Sequence, residues 1–347
     1  MEDRPVAAAA AAKLYWPDRL RNLATLMVII IHVAAPVAHS YPDQQSAWWW
    51  YNNFWNGLTR AGVPLFVMLS GYLLLSKDYP LSDFLRRRFS RVVVPALFWM
   101  LVYSIYNHIR YGKPATWQEA LVGFWTGPVH IHLWFIYLII GLYLIYPILR
   151  PWVRVASERD FLYFFALCAF CTWGVKILWT FFGVGTGIYF ELFTNNCGYF
   201  VLGYYLGRDG SDWRSARVGG LLVVAGTLIT LLGSYAFNVN RGDAPMQVFF
   251  YDYLTPNVSM AAIGWFLLAK YAFNARPLLD VEREFSAASF GIYFAHIGVM
   301  DWWSQCNYWH SRFQTFVWIT SLIGLVTAMT FLGVMFLRTL PGGKRVT

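Results

Sequence analysis

Apolar residues in this chain come in continuous runs of about 20, the length that carries a helix across roughly 30 Å of hydrocarbon. Ten runs are predicted as spans, near residues 20–38, 58–76, 92–109, 131–149, 161–179, 193–207, 218–237, 255–273, 288–305 and 315–337. The fifth to seventh are the weakest, since Lys176 interrupts one and Asn195, Asn196 and Gly198 thin the next. The two-residue alternation of a membrane barrel is missing. The pattern predicts an all-α, polytopic bundle of about ten transmembrane helices, forming one domain over 18–338. Residues 1–17 read as a disordered leader and 339–347 as a tail.

Composition agrees with that reading. The chain is 58% hydrophobic and 13% charged, with 18 Trp, 22 Tyr and 28 Phe, which excludes an ordinary soluble domain. The net charge is +9, and most Lys and Arg lie between runs on the side shared with the N-terminus. Positive-inside bias then places both termini in the cytoplasm. Topology accounts for the charge, which gives no case for nucleic acid. The opening MEDRPVAAAAAAKLYWPDRL lacks the basic-then-apolar order of a cleaved signal. Cys168 and Cys171, one turn apart in a span, read as packing residues rather than a zinc or disulfide pair. No repeat, P-loop or GxSxG is found.

Ionisable groups inside hydrocarbon are costly and are functional candidates by default. In LRNLATLMVIIIHVAAP, Arg21 and His32 stand eleven residues apart, hence on one helix face and about 16 Å apart along the axis. Asp18, one turn before Arg21, is placed to pair with it. The second run carries Arg60, Pro64 and the Ser70-Gly71 pair that permits close helix approach. Next comes LSDFLRRRFSR, whose Arg86, Arg87, Arg88 and Arg91 suit either a topology anchor or the phosphates of a nucleotide-bearing donor. His130, His132, Trp134 and Tyr137 open the fourth run, and helical spacing would put the two histidine rings about 200° apart, unsuited to one metal. The ninth run places Tyr293 and His296 in the membrane and Asp301 nearer its outer end. Outer aromatic residues read either as an interface belt or as stacking surfaces for sugar.

These stretches resemble the acyltransferase 3 family of integral-membrane O-acyltransferases. Tyr15 to Arg21 followed by His32 is similar to its Arg-x10-His opening, Arg60 to Tyr72 to its second-helix motif, and His132 to Phe135 and Gly291 to His296 to two later signatures. The order covers residues 15 to about 300 and is similar to the enterobacterial common antigen O-acetyltransferase-like members. The acidic residue that some members carry in the fourth-span motif is missing. The resemblance implies transfer of an acetyl or other short acyl group from cytosolic acetyl-CoA, a donor substrate, to a hydroxyl of a cell-surface or lipid-linked glycan. It implies a bacterial inner-membrane location, and the histidine spacing gives no metal. It makes His32 the catalytic histidine and Arg21 its partner near the donor.

Physical chemistry fills in the rest. Histidine suits removal of the hydroxyl proton. Arg86, Arg87, Arg88, Arg91 and Ser70 are assigned to the donor, and Arg60, His132, Trp134, Tyr137, Glu191, Tyr293 and His296 to the acceptor side. Candidate oxyanion donors are Asn195, Asn196, Ser70 and Tyr293. An acetyl-histidine relay is the competing chemical route, and a multi-span transporter without acyl chemistry the competing function.

Overall fold

The computed structural model describes residues 14–41, 43–112, 116–187, 196–208, 210, 212–241, 248–306 and 316–347. These are helices and connections, with no strand among the described residues. In chain order they are α1 (Trp16–Ser40), α2 (Ala47–Thr59), α3 (Gly62–Leu75), α4 (Leu81–Tyr111), α5 (Trp117–Thr126), α6 (Trp134–Val155), α7 (Glu158–Ala169), α8 (Val175–Phe182), α9 (Cys197–Gly207), α10 (Ala216–Arg241), α11 (Pro256–Ala272), α12 (Asp280–Cys306) and α13 (Phe316–Thr339).

Seven segments are long and apolar enough to cross a membrane: 16–39, 47–75, 81–111, 131–155, 158–182, 216–237 and 317–339. Each overlaps a predicted span. The other three predicted spans are also helical, but α9 has 11 residues and α11 has 17. The third, α12, is long but diluted by polar residues that include His296 and Asp301. The chain is thus a multi-pass membrane protein, all-helical among its described residues. Its second span starts earlier than predicted. Residues 47–59, expected in an outer loop, form α2, which continues into α3 after a break at Arg60 and Ala61.

Side-chain spacing explains which faces meet. On α4, Val94, Leu97, Leu101, Ile105 and Ile109 lie three or four residues apart and are exposed, the face left to lipid. Val92, Ala96, Met100, Tyr103 and Asn107 form the buried face. Lys176, the charge that weakened the fifth predicted span, pairs with Asp252 at 2.6 Å. A π-helical turn, Phe170–Gly174, links α7 to α8 and buries Cys171.

At the centre is α1, packed against α2, α3, α11, α12 and α13. Its start is fixed by Arg19, which pairs with Glu282 at 3.2 Å and donates to the carbonyls of Phe273, Arg276 and Pro277. Trp16 and Pro17, predicted to end the leader, already belong to this helix, and Trp16 is buried. Helix α3 lies tight on α9 because residue 71 is glycine: a Cβ there would collide with the carbonyl of Phe200.

Candidate active site

One stripe of α1 organises the polar interior. Arg21, Thr25, His32, Pro36 and His39 fall within about 60° of one another at 100° per residue. Arg21 donates to Asp18 at 2.7 Å and to Ser286 at 2.8 Å, and Ser286 donates to the same carboxylate oxygen at 2.7 Å. The expected pairing with Asp18 is therefore present and closed into a ring by α12. Along the stripe His32 is half-buried while Pro36 and His39 are exposed, so a continuous line of α1 stays accessible to the level of His32. Pro36 lacks an N–H and leaves the His32 carbonyl without its helical donor.

The tautomer of His32 follows from its neighbours. His296 Nδ1 faces the carbonyls of Tyr293 at 2.7 Å and Ile292 at 3.2 Å, both acceptors, so it carries the proton. The neutral ring then presents a bare Nε2, which lies 3.1 Å from His32 Nδ1. That nitrogen also meets the Val28 carbonyl at 2.8 Å. With acceptors on both sides, His32 Nδ1 carries its proton, and His32 Nε2 keeps the lone pair of a base.

Two further histidines continue the line. The His132 ring lies 5.5 Å from that of His296, centroid to centroid, and its Nε2 meets the Phe294 carbonyl at 3.2 Å. His130 and His132 approach at 3.0 Å through their Nδ1 atoms. This corrects the helical spacing expected of them: His130 is extended and residues 131–133 form a 3-10 turn, so their rings come together. His130 then reaches Asp301 at 3.8 Å. Among the described residues, no group of three or more metal-ligating side chains is assembled.

Below the cluster, toward the Arg88 end, lies a cavity of about 960 Å³, near the upper end of small-molecule sites. Arg21, Lys77, Arg88, Arg91, Arg338, Lys344 and Arg345 line it, and its described lining contains no carboxylate side chain. Deeper in, Phe66, Ser70, Phe135, Ile139, Tyr143 and Tyr293 form its walls. The C-terminal segment folds under this opening, where the Trp99 indole donates to the Val346 carbonyl at 2.8 Å. Tyr293 separates the cavity from the histidines: its hydroxyl donates to the His132 carbonyl and its ring lies 6.2 Å from that of His296.

Beyond His32, at the opposite end of α1, a second polar group is buried. Arg60 donates to His39 Nε2 at 2.9 Å and lies over the rings of Tyr251 and Tyr253, at 5.0 and 5.8 Å. Tyr251 donates to Asn53 Oδ1 at 2.7 Å. Burial pushes its phenol up to about 12, which keeps it a donor.

The predicted residues divide among these regions. Arg21, Ser70, Arg88, Arg91 and Tyr293 line the cavity, whereas Arg86 and Arg87 are exposed and do not line it. Arg88 and Arg91 share a face at i, i+3 spacing, and Arg87, four residues before Arg91, falls beside them without lining the cavity. His32, His132 and His296 form the central cluster, and Arg60 stands apart from it. Trp134 stacks on Tyr253 with centroids 5.9 Å apart, and Tyr137 donates to the Gly127 carbonyl at 3.3 Å. Asn196, a candidate oxyanion donor, is buried at the start of α9. Glu191 and Asn195 lie outside the described residues. Lys77, Ser286, Arg338, Lys344, Arg345, His39 and the asparagines of α2 were not singled out from sequence. His39 alone carried a readable signal, standing seven residues beyond His32 on the same face.

No curated protein and no solved structure matches the chain. The family model described as an acyltransferase domain matches residues 14–338. Nearly the whole described bundle falls within that match, and the chain belongs to the acyltransferase 3 family.

Proposed function

We propose that this protein moves an acetyl or other short acyl group from cytosolic acyl-CoA to a hydroxyl of a cell-surface or lipid-linked glycan. His32 is the general base, and the protein works in the bacterial inner membrane with both termini inside. The observation that carries this reading is the cavity whose mouth is lined by cations and whose inner end stops one aromatic layer from the histidine cluster. Guanidinium groups bind phosphates through paired, charge-assisted hydrogen bonds, and the aromatic depth suits a pantetheine arm. Within the family, the reading places the chain beside the enterobacterial common antigen O-acetyltransferase-like members, with ten spans.

In the reaction, the glycan hydroxyl gives its proton to His32 Nε2 as its oxygen attacks the thioester carbon. The tetrahedral intermediate collapses with cleavage of the carbon–sulfur bond. His32 then returns the proton to the leaving thiolate, yielding the ester and CoA. His296 holds the His32 tautomer that this step needs, as an orienting partner does for a catalytic base. The thioester reaches His32 past Tyr293 and Phe135. Arg86 and Arg87, exposed on α4, serve anionic lipid rather than the donor.

The test uses purified protein in lipid nanodiscs with radiolabelled acetyl-CoA and a bacterial envelope glycan extract. Label appearing in the glycan together with free CoA, and lost in His32→Ala, is the expected result. Turnover unchanged by His32→Ala refutes the assignment of the base.

A further inference from the structure

Along one face of α2 that leads to Arg60, three buried polar atoms have no hydrogen-bond partner: Asn52 Oδ1, Asn56 Oδ1 and Arg60 Nε. Their residues are buried, with Asn52 and Asn56 at 0% exposure and Arg60 at 7%. Arg60 is a buried cation, yet its close contacts are a histidine nitrogen, two tyrosine rings and the Tyr253 hydroxyl, none of them a carboxylate. Among the described residues no carboxylate pairs with it; Asp252, the nearby acid whose field it feels, is held by Lys176 at 2.6 Å. A desolvated guanidinium without a counter-charge is stabilised by any anion that reaches it. Access exists on one side, where His39, 2.9 Å from the guanidinium, is exposed at the end of the α1 stripe.

We propose that this cluster is an acceptor subsite for a sugar bearing an anionic group, with Arg60 taking the phosphate or carboxylate and Asn52 and Asn56 accepting hydroxyl hydrogens. The inference rests on the acyltransferase reading, because it makes this sugar the alcohol that meets His32. His39 lies seven residues from His32, about 10 Å along the helix. The charged group and the acylated hydroxyl therefore sit on separate parts of the acceptor.

The experiment measures binding without acyl donor. The full chain in nanodiscs is titrated calorimetrically with glucose 1-phosphate, methyl glucuronide and the uncharged methyl glucoside. At least one anionic probe is expected to bind tenfold or more tighter than the glucoside, and the order of the two names phosphate or carboxylate as the natural group. Arg60→Gln abolishes that preference. Should Arg60→Gln fail to fold, Asn56→Asp decides, since it sets a carboxylate beside the guanidinium without changing shape and is expected to remove the preference equally. Equal affinity for all three probes, binding of none, or a preference that survives in a folded variant overturns the proposal. CoA titrated into the same sample separates the two ideas: loss of CoA binding alone refutes the donor side of the acyltransferase reading and leaves the sugar result standing.

Discussion

At the cavity mouth, Arg88 and Arg91 stand among other cations beside open space. At the far end of α1, Arg60 is buried under His39 and ringed by asparagine and tyrosine. The same residue type is used in two physical regimes. Guanidinium groups at the mouth remain hydrated, so their placement together costs little and their attraction for phosphate is softened by salt. Arg60 has lost its water and is held by fixed neighbours, so its interactions are stronger and its tolerance for substitution lower. The half proposed for the donor is loose and electrostatic, and the opposite half is tight and geometric. Between them His32 has one fixed tautomer and one free nitrogen.

Removing that nitrogen gives the largest effect. General-base catalysis contributes on the order of 10² to 10⁴ in rate, so His32→Ala is expected to lower acetyl transfer by that factor while CoA binding in the cavity stays intact. Equal loss of CoA affinity would show that the two halves are not separable as described. His296→Phe keeps the ring volume but removes the acceptor of His32 Nδ1–H. It is expected to lower kcat roughly tenfold or more, as supporting partners of catalytic groups do, with KM for the donor unchanged. Steady-state kinetics checks this split, and a rise in donor KM alone would make His296 a packing residue.

The mouth supplies a comparison internal to α4. A hydrogen bond to a charged group is worth about 1.5–3 kcal/mol, so Arg88→Ala or Arg91→Ala is expected to weaken CoA binding by about ten- to a hundredfold. That effect should fade as salt is raised. Arg86→Ala and Arg87→Ala, on exposed faces, are expected to leave affinity within about twofold. Calorimetry of the four variants at two salt concentrations decides it, and a uniform loss across all four would mean that net charge, not position, binds the donor.

Helical periodicity explains how much of this was legible beforehand. Arg21 and His32 were placed on one face by spacing alone, and the same arithmetic extends to His39. It does not separate Arg87, about 40° from Arg91 around the helix, from the pair that lines the cavity, and only the packed structure tells them apart. Periodicity failed where the backbone leaves the α-helix: His130 and His132 meet because a 3-10 turn replaces the expected helix. It also failed for Lys344 and Arg345. Their place at the cavity follows from a reversal at Gly342, with φ 79°, and from the Trp99–Val346 hydrogen bond, which joins residues 247 apart in sequence. Such long-range contacts leave no local pattern. The amides of α2 were hidden by their tryptophans, which made WWWYNNFWNG read as an interface belt or a sugar-stacking surface.

The smallest predicted effect concerns what fixes α1 beneath both halves. Arg19 joins α1 to the segment before α12 through Glu282 and three carbonyls. Its guanidinium, with help from the Leu279 backbone N–H, holds the Glu282 carboxyl below the usual carboxylate range. Because the folded carboxyl binds its proton less readily than the unfolded one, the linked stability is fully present above the unfolded value of about 4.3. It is lost as pH falls through the lower folded value. Thermal unfolding of the protein in detergent between pH 7 and pH 3 should therefore show an acid loss that is smaller in Glu282→Gln, which has no proton to take up at that position. The difference is expected to be modest, since the pair is partly exposed and screened. Parallel curves for parent and variant would locate the anchor in the carbonyl contacts of Arg19 instead, and Arg19→Ala would then lower the unfolding temperature equally at both ends of the pH range.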